Sequence, residues 1–136
     1  MRRKTIDSKE VAYNYAKDVF RGLDHEELWV LYLDLRHEPI SFEKMTSGGW
    51  DSTVLDIRQI FATALNLHSS RLIIFHNHLS GSSSPSINDV RNTDKIFKSG
   101  ELMDIKILDH IIIAETNYYS FTDETITEVP KPRKRR

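Results

Sequence analysis

Apolar positions recur along this chain with two different periods. Val11, Tyr15, Val19 and Leu23 fall at helical spacing, which predicts a helix over 8–22 with Gly22 as its stop. From Glu27 to Leu35 the period drops to two, with Trp29, Leu31 and Leu33 on one side of a strand. Arg36-His37-Glu38-Pro39 reads as a turn, and Ile40 to Met45 as the second strand of a hairpin, broken by Ser47-Gly48-Gly49-Trp50. A helix over roughly 54–67 follows, with Ile57, Ile60, Phe61, Ala64 and Leu65 as its apolar face and a capping start at Thr53, Leu55 and Asp56. Arg71 to Phe75 is a buried strand, and Ser80 to Pro85 a Gly/Ser/Pro loop. The next helix runs from Ile87 to Ser99, with Val90, Thr93 and Phe97 inward and Gly100 as its stop. Lys106 to Ala114 is a second buried strand. Tyr118 to Thr122 is a short last strand, paired with it across Glu115-Thr116-Asn117. These elements predict an α/β domain with a single mixed β-sheet and packed helices.

At 136 residues the chain fits one domain, expected over residues 1–122, and needs no disulfides to build a core. The absence of cysteine is compatible with a reducing compartment and excludes any thiolate metal site. No apolar run is long enough for a membrane helix. Met1-Arg2-Arg3-Lys4 is basic, but Thr5 to Glu10 is polar where a signal peptide would be apolar, so the cytoplasm is the expected location. The net charge of −1 hides an asymmetry: residues 130–136 hold five of the 19 basic residues and no acid. Residues 123–136 are therefore expected to form a basic, disordered tail. A nonspecific phosphate contact is the sharper alternative for that tail.

The segment His76-Asn77-His78-Leu79-Ser80-Gly81-Ser82-Ser83-Ser84-Pro85-Ser86-Ile87-Asn88-Asp89 carries the candidate chemistry. Residues i and i+2 of a strand share a face, so His76 and His78 at a strand end can reach one ion. Asp89, in the first turn of the next helix, faces the same strand end. Two neutral imidazoles and a carboxylate make three ligands of a catalytic zinc, Zn2+, leaving a fourth position for water. A second explanation exists for part of the set. Ser86-Ile87-Asn88-Asp89 also fits a capping box, with Ser86 as N-cap and Asp89 at N3. The two roles can coexist.

His-Asn-His, seven residues, Ser, two residues, Asp is the spacing of the JAMM (MPN+) metalloprotease motif. The surrounding residues resemble RadC-like proteins more closely still. The resemblance rests on Leu33-Asp34, Ala64-Leu65, His76-Asn77-His78, Ser80-Gly81, Pro85-Ser86, Gly100-Glu101-Leu102 and Leu108-Asp109-His110-Ile111-Ile112-Ile113. It covers roughly residues 6–122. It implies a cytidine-deaminase-like JAB/MPN fold and a zinc held by His76, His78 and Asp89. It also implies a catalytic glutamate on the second strand of the hairpin, which counting from Leu33-Asp34 puts at Glu43. Ser86 would stabilise the oxyanion that develops on the attacked carbonyl.

The chain departs from the family pattern in places. Leu79 stands where a proline usually follows the second histidine, and Gly48-Gly49 where a Gly-Thr pair is usual. Only some 25 residues precede the first strand, which suggests a short form without the N-terminal helical domain of longer RadC proteins. Asp109 and His110 match a family motif; on a strand at most one of them can face the site, and a hydrogen bond in the core or behind a metal ligand is the expected role of His110. His25, His37 and His68 read as surface residues.

Three other zinc or nuclease readings fail. The HNH nuclease motif is three dispersed residues, not a tripeptide. A deaminase requires cysteines, which the chain lacks, and a zincin requires His-Glu-x-x-His. Two functional expectations remain. One is a zinc-dependent hydrolase of amide or isopeptide bonds with a peptide or protein substrate. The other is a weakly catalytic or non-catalytic module of DNA-repair or mobile-element complexes that binds DNA or a protein partner. The sequence does not indicate an oligomeric state.

Overall fold

The computed structural model describes residues 4–45 and 57–132. In chain order the elements are α1 (Lys9–Phe20), β1 (Leu28–Leu33), β2 (Pro39–Met45), α2 (Ile57–Asn66), β3 (Arg71–Asn77), α3 (Ile87–Leu102), β4 (Lys106–Ile113), β5 (Asn117–Ser120) and β6 (Thr125–Glu128). The strands form one six-stranded mixed sheet in the order β2-β1-β3-β4-β5-β6. Among the described residues only β3 and β4 pair in parallel, and α3 is the crossover between them. The predicted α/β class with a single mixed sheet is what the chain adopts.

Each face of the sheet carries its own core. Leu28, Val30, Tyr32, Leu72, Ile74 and Ile107 pack against Ile60, Phe61 and Ala64 of α2 and Ile96 of α3. On the other face Leu31, Leu33, Ile73, Phe75, Ile111 and Ile113 pack against Ala12, Ala16 and Phe20 of α1. Burial on both faces explains why β3 reads as a continuous apolar run and not as an alternation.

Several local expectations are corrected. On α1 the buried stripe is Ala12, Ala16 and Phe20; Val11, Val19 and Leu23 pack partly buried against the same core as expected, while Tyr15 stays 40% exposed. Small alanines let the helix lie close to the sheet, and the large residues used to set the helical phase flank the contact. Helix α1 ends at Phe20, and Gly22 follows with a positive φ of 77°. Leu65 and Val90, expected inward, are 56% and 51% exposed, and Ile96 fills the place under α3. Gly100 does not stop α3, which continues to Leu102. A Cβ at Gly100 would stand 2.4 Å from the carbonyl oxygen of Ile105, so glycine permits the close return of the chain into β4. The hairpin turn is shorter than expected, because Pro39 already belongs to β2. Asp34 organises it, its Oδ1 accepting from the backbone N–H of Arg36 and Glu38.

The last strand expected over 118–122 is β5, Asn117–Ser120. A further strand, β6, lies within the segment assigned to the tail and pairs antiparallel with β5. Thr125, Ile126 and Glu128 are exposed, so this edge strand is held by its backbone ladder and leaves almost no apolar signature. The capping start at Thr53, Leu55 and Asp56, the Gly48-Gly49 departure, and Arg133 to Arg136 lie outside the described residues. Among the described residues no helix is long and apolar enough to cross a membrane.

Candidate metal centre

β3 delivers the two histidines. His76 is its penultimate residue and fully buried, and His78 lies one residue beyond its end. The parallel ladder nevertheless continues there, since the His78 N–H donates to the Ile113 carbonyl at 2.9 Å. Asp89 is brought in by α3 and is 1% exposed. One ligand atom from each of His76, His78 and Asp89 lies within 4.8 Å of the others, so the sequence-predicted trio converges. Asp89 Oδ2 is 3.0 Å from His78 Nε2, and Oδ1 is 3.2 Å from His76 Nε2. Atoms each about 2.0–2.1 Å from a tetrahedral zinc would be about 3.3–3.4 Å apart, so the spacing and the donor set fit such an ion.

The capping box is present as well. Ser86 Oγ accepts from the Asp89 N–H at 3.0 Å, and the Ser86 N–H donates to Asp89 Oδ2 at 2.7 Å. The cap therefore aims the carboxylate, and the two sequence explanations of Ser86 and Asp89 are one arrangement. Burial pushes the Asp89 carboxyl upward. Hydrogen bonds from the histidines and from the Ser86 backbone outweigh this and hold it far below the usual carboxylate range.

His78 is fixed from its far side. Its Nδ1 lies 3.1 Å from the Ser82 carbonyl oxygen, which can only accept, so Nδ1 carries the hydrogen and Nε2 points to Asp89. The contact with Asp89 raises the His78 pKa, burial opposes the rise, and the Ser82 carbonyl and the charges of Asp89 and Glu26 reinforce it. The loop that supplies Ser82 is tied down by Asn117. Its Oδ1 accepts from the Ser83 N–H at 2.8 Å, and its Nδ2 donates to the Gly81 carbonyl at 2.9 Å. The middle residue of the His-Asn-His triplet is a clamp. Asn77 accepts from the Glu27 N–H at 2.7 Å and donates to the His25 carbonyl at 3.1 Å, which pins the segment carrying Glu26 beside the strand end.

Residues 6–126 match the RadC-like JAB domain family. The chain belongs to that family. Among its relatives is a UPF0758 protein of Flavobacterium johnsoniae, 42% identical over 126 residues, which cover 93% of this chain and 55% of the relative. Another, from Porphyromonas gingivalis, is 36% identical over 124 residues, covering 90% of this chain and 55% of the relative. A third, from Syntrophomonas wolfei, is 37% identical over 114 residues, covering 84% and 48%. The chain thus spans about half the length of these relatives.

Within this RadC-like domain, Glu43 lies on β2, opposite Val30 of β1, which in turn lies opposite Ile74 of β3. Directly opposed residues share a face, so Glu43 is on the His76 face of the sheet, two strands away. Its Oε2 accepts from Ser41 Oγ at 2.8 Å, and it stands outside the cluster of His76, His78 and Asp89. Leu79 is 53% exposed. His25 and His68 are exposed, as read from the sequence, and His37 is half-buried with a positive φ of 62°.

Of Asp109 and His110, it is His110 that reaches the site. The β3–β4 register shifts between Leu72 and Ile73, where Leu108 is the extra residue, and this bulge turns His110 to the face of Ile74 and His76. His110 Nε2 is 2.7 Å from His76 Nδ1, and His110 Nδ1 is 2.6 Å from Thr93 Oγ1. Complete burial holds His110 neutral, well below its ordinary pKa. Asp109 faces away and fastens β5, accepting from Ser120 Oγ at 2.6 Å and from the Thr122 N–H at 3.1 Å. Sequence reasoning missed Thr93, Asn117, Asn77 and Glu26 as parts of the site. Thr93 had a usable signal, since it follows Asp89 by four residues and shares its helix face. The other three are brought in by contacts distant in sequence.

Proposed function

We propose that this protein is a zinc-dependent hydrolase of the JAMM type, acting on amide or isopeptide bonds of a peptide or protein substrate. The convergence of two imidazole nitrogens and a nearly buried carboxylate at one strand end carries the reading. His76, His78 and Asp89 would hold the ion. A zinc ion, when bound, supplies Lewis acidity at the scissile carbonyl and acidifies water to near neutrality. Glu43 serves as the proton acceptor and then passes the proton to the leaving amine. To do so it exchanges its hydrogen bond with Ser41 Oγ for one within the site. The Ser86 hydroxyl accepts from the Asp89 N–H and, as a hydroxyl, also has a hydrogen to donate to the developing oxyanion.

A cleft of about 970 Å3 reaches His78 from the α1 side of the sheet and has room for a peptide, while His76, Asp89, Ser86 and Glu43 lie outside its lining. It runs between α1 and residues 127–132 and is lined by the stacked Tyr13–Tyr118 pair, Phe20 and Ile113. Its volume is at the upper end of the range for ligand pockets. The reading is tested with zinc-loaded protein and paired substrates carrying peptide and lysine-linked isopeptide bonds. Cleavage that a chelator abolishes and zinc restores is the expected result. A fully zinc-loaded protein inert towards both linkages would remove the hydrolase assignment.

Zinc affinity should depend on pH through His78. A protonated His78 ring can donate from Nδ1 to the Ser82 carbonyl and from Nε2 to Asp89 at once, and its raised pKa favours that form. Zinc needs the Nε2 lone pair, so it competes with that proton. The raised pKa means that the competition begins above the ordinary histidine range. Asp89, held far below its usual range, does not compete. Zinc titrations should show affinity falling about tenfold per pH unit once His78 is protonated. An affinity unchanged between neutral and mildly acid pH would contradict this account.

A further inference from the structure

We propose that Thr93 and His110 form a buried relay that sets the tautomer of His76 and reverses direction when a metal binds. The proposal rests on the metal reading of His76, His78 and Asp89. Three elements meet in the relay: His76 from β3, His110 from β4 and Thr93 from α3. Both imidazoles are fully buried and Thr93 is 6% exposed. The ring of His110 is stacked on Phe121, with centroids 4.7 Å apart, which fixes its plane. The contacts are short, 2.7 Å between the two imidazoles and 2.6 Å from His110 to the hydroxyl.

Complete burial keeps His110 neutral; with His76 neutral as well, each ring carries one N–H and one lone pair, and each contact holds one hydrogen. The donors must therefore all run the same way along the chain. In one arrangement the Thr93 hydroxyl donates to His110 Nδ1 and His110 Nε2–H donates to His76 Nδ1. His76 then carries Nε2–H, facing Asp89 Oδ1 at 3.2 Å. In the other, His76 Nδ1–H donates to His110 Nε2 and His110 Nδ1–H donates to Thr93 Oγ1. The Thr93 hydroxyl hydrogen then turns elsewhere, and the ordinary acceptor for a helical threonine is the carbonyl four residues back. His76 now presents the Nε2 lone pair.

In the exchange the Thr93 hydroxyl hydrogen passes to His110 Nδ1 and the His110 Nε2 hydrogen to His76 Nδ1, while the His76 Nε2 hydrogen leaves to solvent where the metal enters and Thr93 Oγ1 takes one up from solvent, so the count of three hydrogens is unchanged. Without a metal the first is favoured, because a lone pair on Nε2 would face a buried carboxylate. A metal at Nε2 requires the second. The other histidine is built differently: the Ser82 carbonyl can only accept, so His78 keeps Nδ1–H in both states. His78 thus keeps one partner at Nδ1 whether or not an ion is bound, whereas His76 changes tautomer. Metal-bound histidines ordinarily donate their second N–H to an acceptor of fixed direction. Here the acceptor is a second histidine, able to donate or accept, and Thr93 determines whether it can follow.

The test is isotope-edited NMR of the imidazole nitrogens in the zinc-free and zinc-loaded protein, with zinc affinities of Thr93→Val and Thr93→Ser. The expected result is that His76 and His110 both carry Nε2–H without zinc and both carry Nδ1–H with one equivalent. Thr93→Val, nearly isosteric, should lower zinc affinity about 10- to 100-fold, and Thr93→Ser should restore it to near the original value. His110 keeping one tautomer in both states would overturn the relay, as would a folded Thr93→Val binding zinc as tightly as the unchanged chain. A chain that takes up no zinc would defeat the metal reading. The reversal would fall with it, and the zinc-free spectra would decide only the resting direction, which Nδ1–H on His110 would overturn. Should Thr93→Val fail to fold, the spectra of the unchanged chain and Thr93→Ser decide.

Discussion

Asp89→Asn protein, purified without chelator, should hold only a small fraction of the zinc held by the unchanged chain, with an affinity lower by at least about 100-fold. The substitution separates the two roles of this residue. Asn keeps the shape of the side chain and an oxygen that can accept from the Ser86 N–H, so the N-terminus of α3 remains capped. It removes the negative charge that faces both imidazoles at 3.0–3.2 Å. It also removes the main cause of the raised His78 pKa, so that ring should titrate lower in the variant. Asp89→Ala would lose both roles and cost about 1 kcal/mol of stability through the cap. Comparing the two by elemental analysis and thermal unfolding assigns the loss. Stoichiometric zinc in Asp89→Asn would mean that the residue serves only as a cap.

Glu43→Gln should leave zinc content unchanged and lower hydrolysis by about 10²–10⁴-fold, the contribution of a positioned general base. Glu43 is outside the cluster of His76, His78 and Asp89, so the metal has no reason to leave. Gln retains an oxygen for the Ser41 hydroxyl, so the pairing of β2 with β1 is preserved. Only the ability to take a proton is lost. Equal turnover by a zinc-replete Glu43→Gln protein would remove Glu43 from the mechanism and direct attention to Glu26. That carboxylate is the other one whose charge acts on His78, and Asn77 pins its segment beside the strand end.

Much of this centre was legible because its signals are local. His76 and His78 are two apart on a strand, and Asp89 is three residues into a capping box, so short-range geometry alone brings them together. The mixed sheet was legible for a similar reason. Apolar runs such as Leu72–Phe75 and Ile111–Ile113 allow burial on both faces only as central strands, and these lie side by side as β3 and β4. Edge features were less legible. Strand β6 buries almost nothing, so its residues carry no hydrophobic period and were assigned to a tail. Around α1 the sequence marked Val11, Val19 and Leu23, which pack partly buried against the core, but not Ala12 and Ala16 at its centre, because alanine contributes little to apolar periodicity while permitting the closest approach to the sheet.

By itself the sequence determined the two-period pattern, the strand–loop–helix unit with its His-x-His and Asp, and the caps that aim them. Those properties depend on dihedral preferences and spacings within a few residues. Tertiary structure alone decided how the residues behind the ligands are brought there and which ligand each one meets. A one-residue bulge at Leu108 reverses the alternation of β4 and turns His110, not Asp109, toward His76. The strand period of two makes any such slip exchange faces, and no local signal at Leu108 announces it. Asn117 and Asn77 likewise hold the loop and the β1 entry only because β5 and β1 fold back beside the end of β3. Such contacts join residues far apart in the chain, and their partners are specified by the packing of the whole sheet.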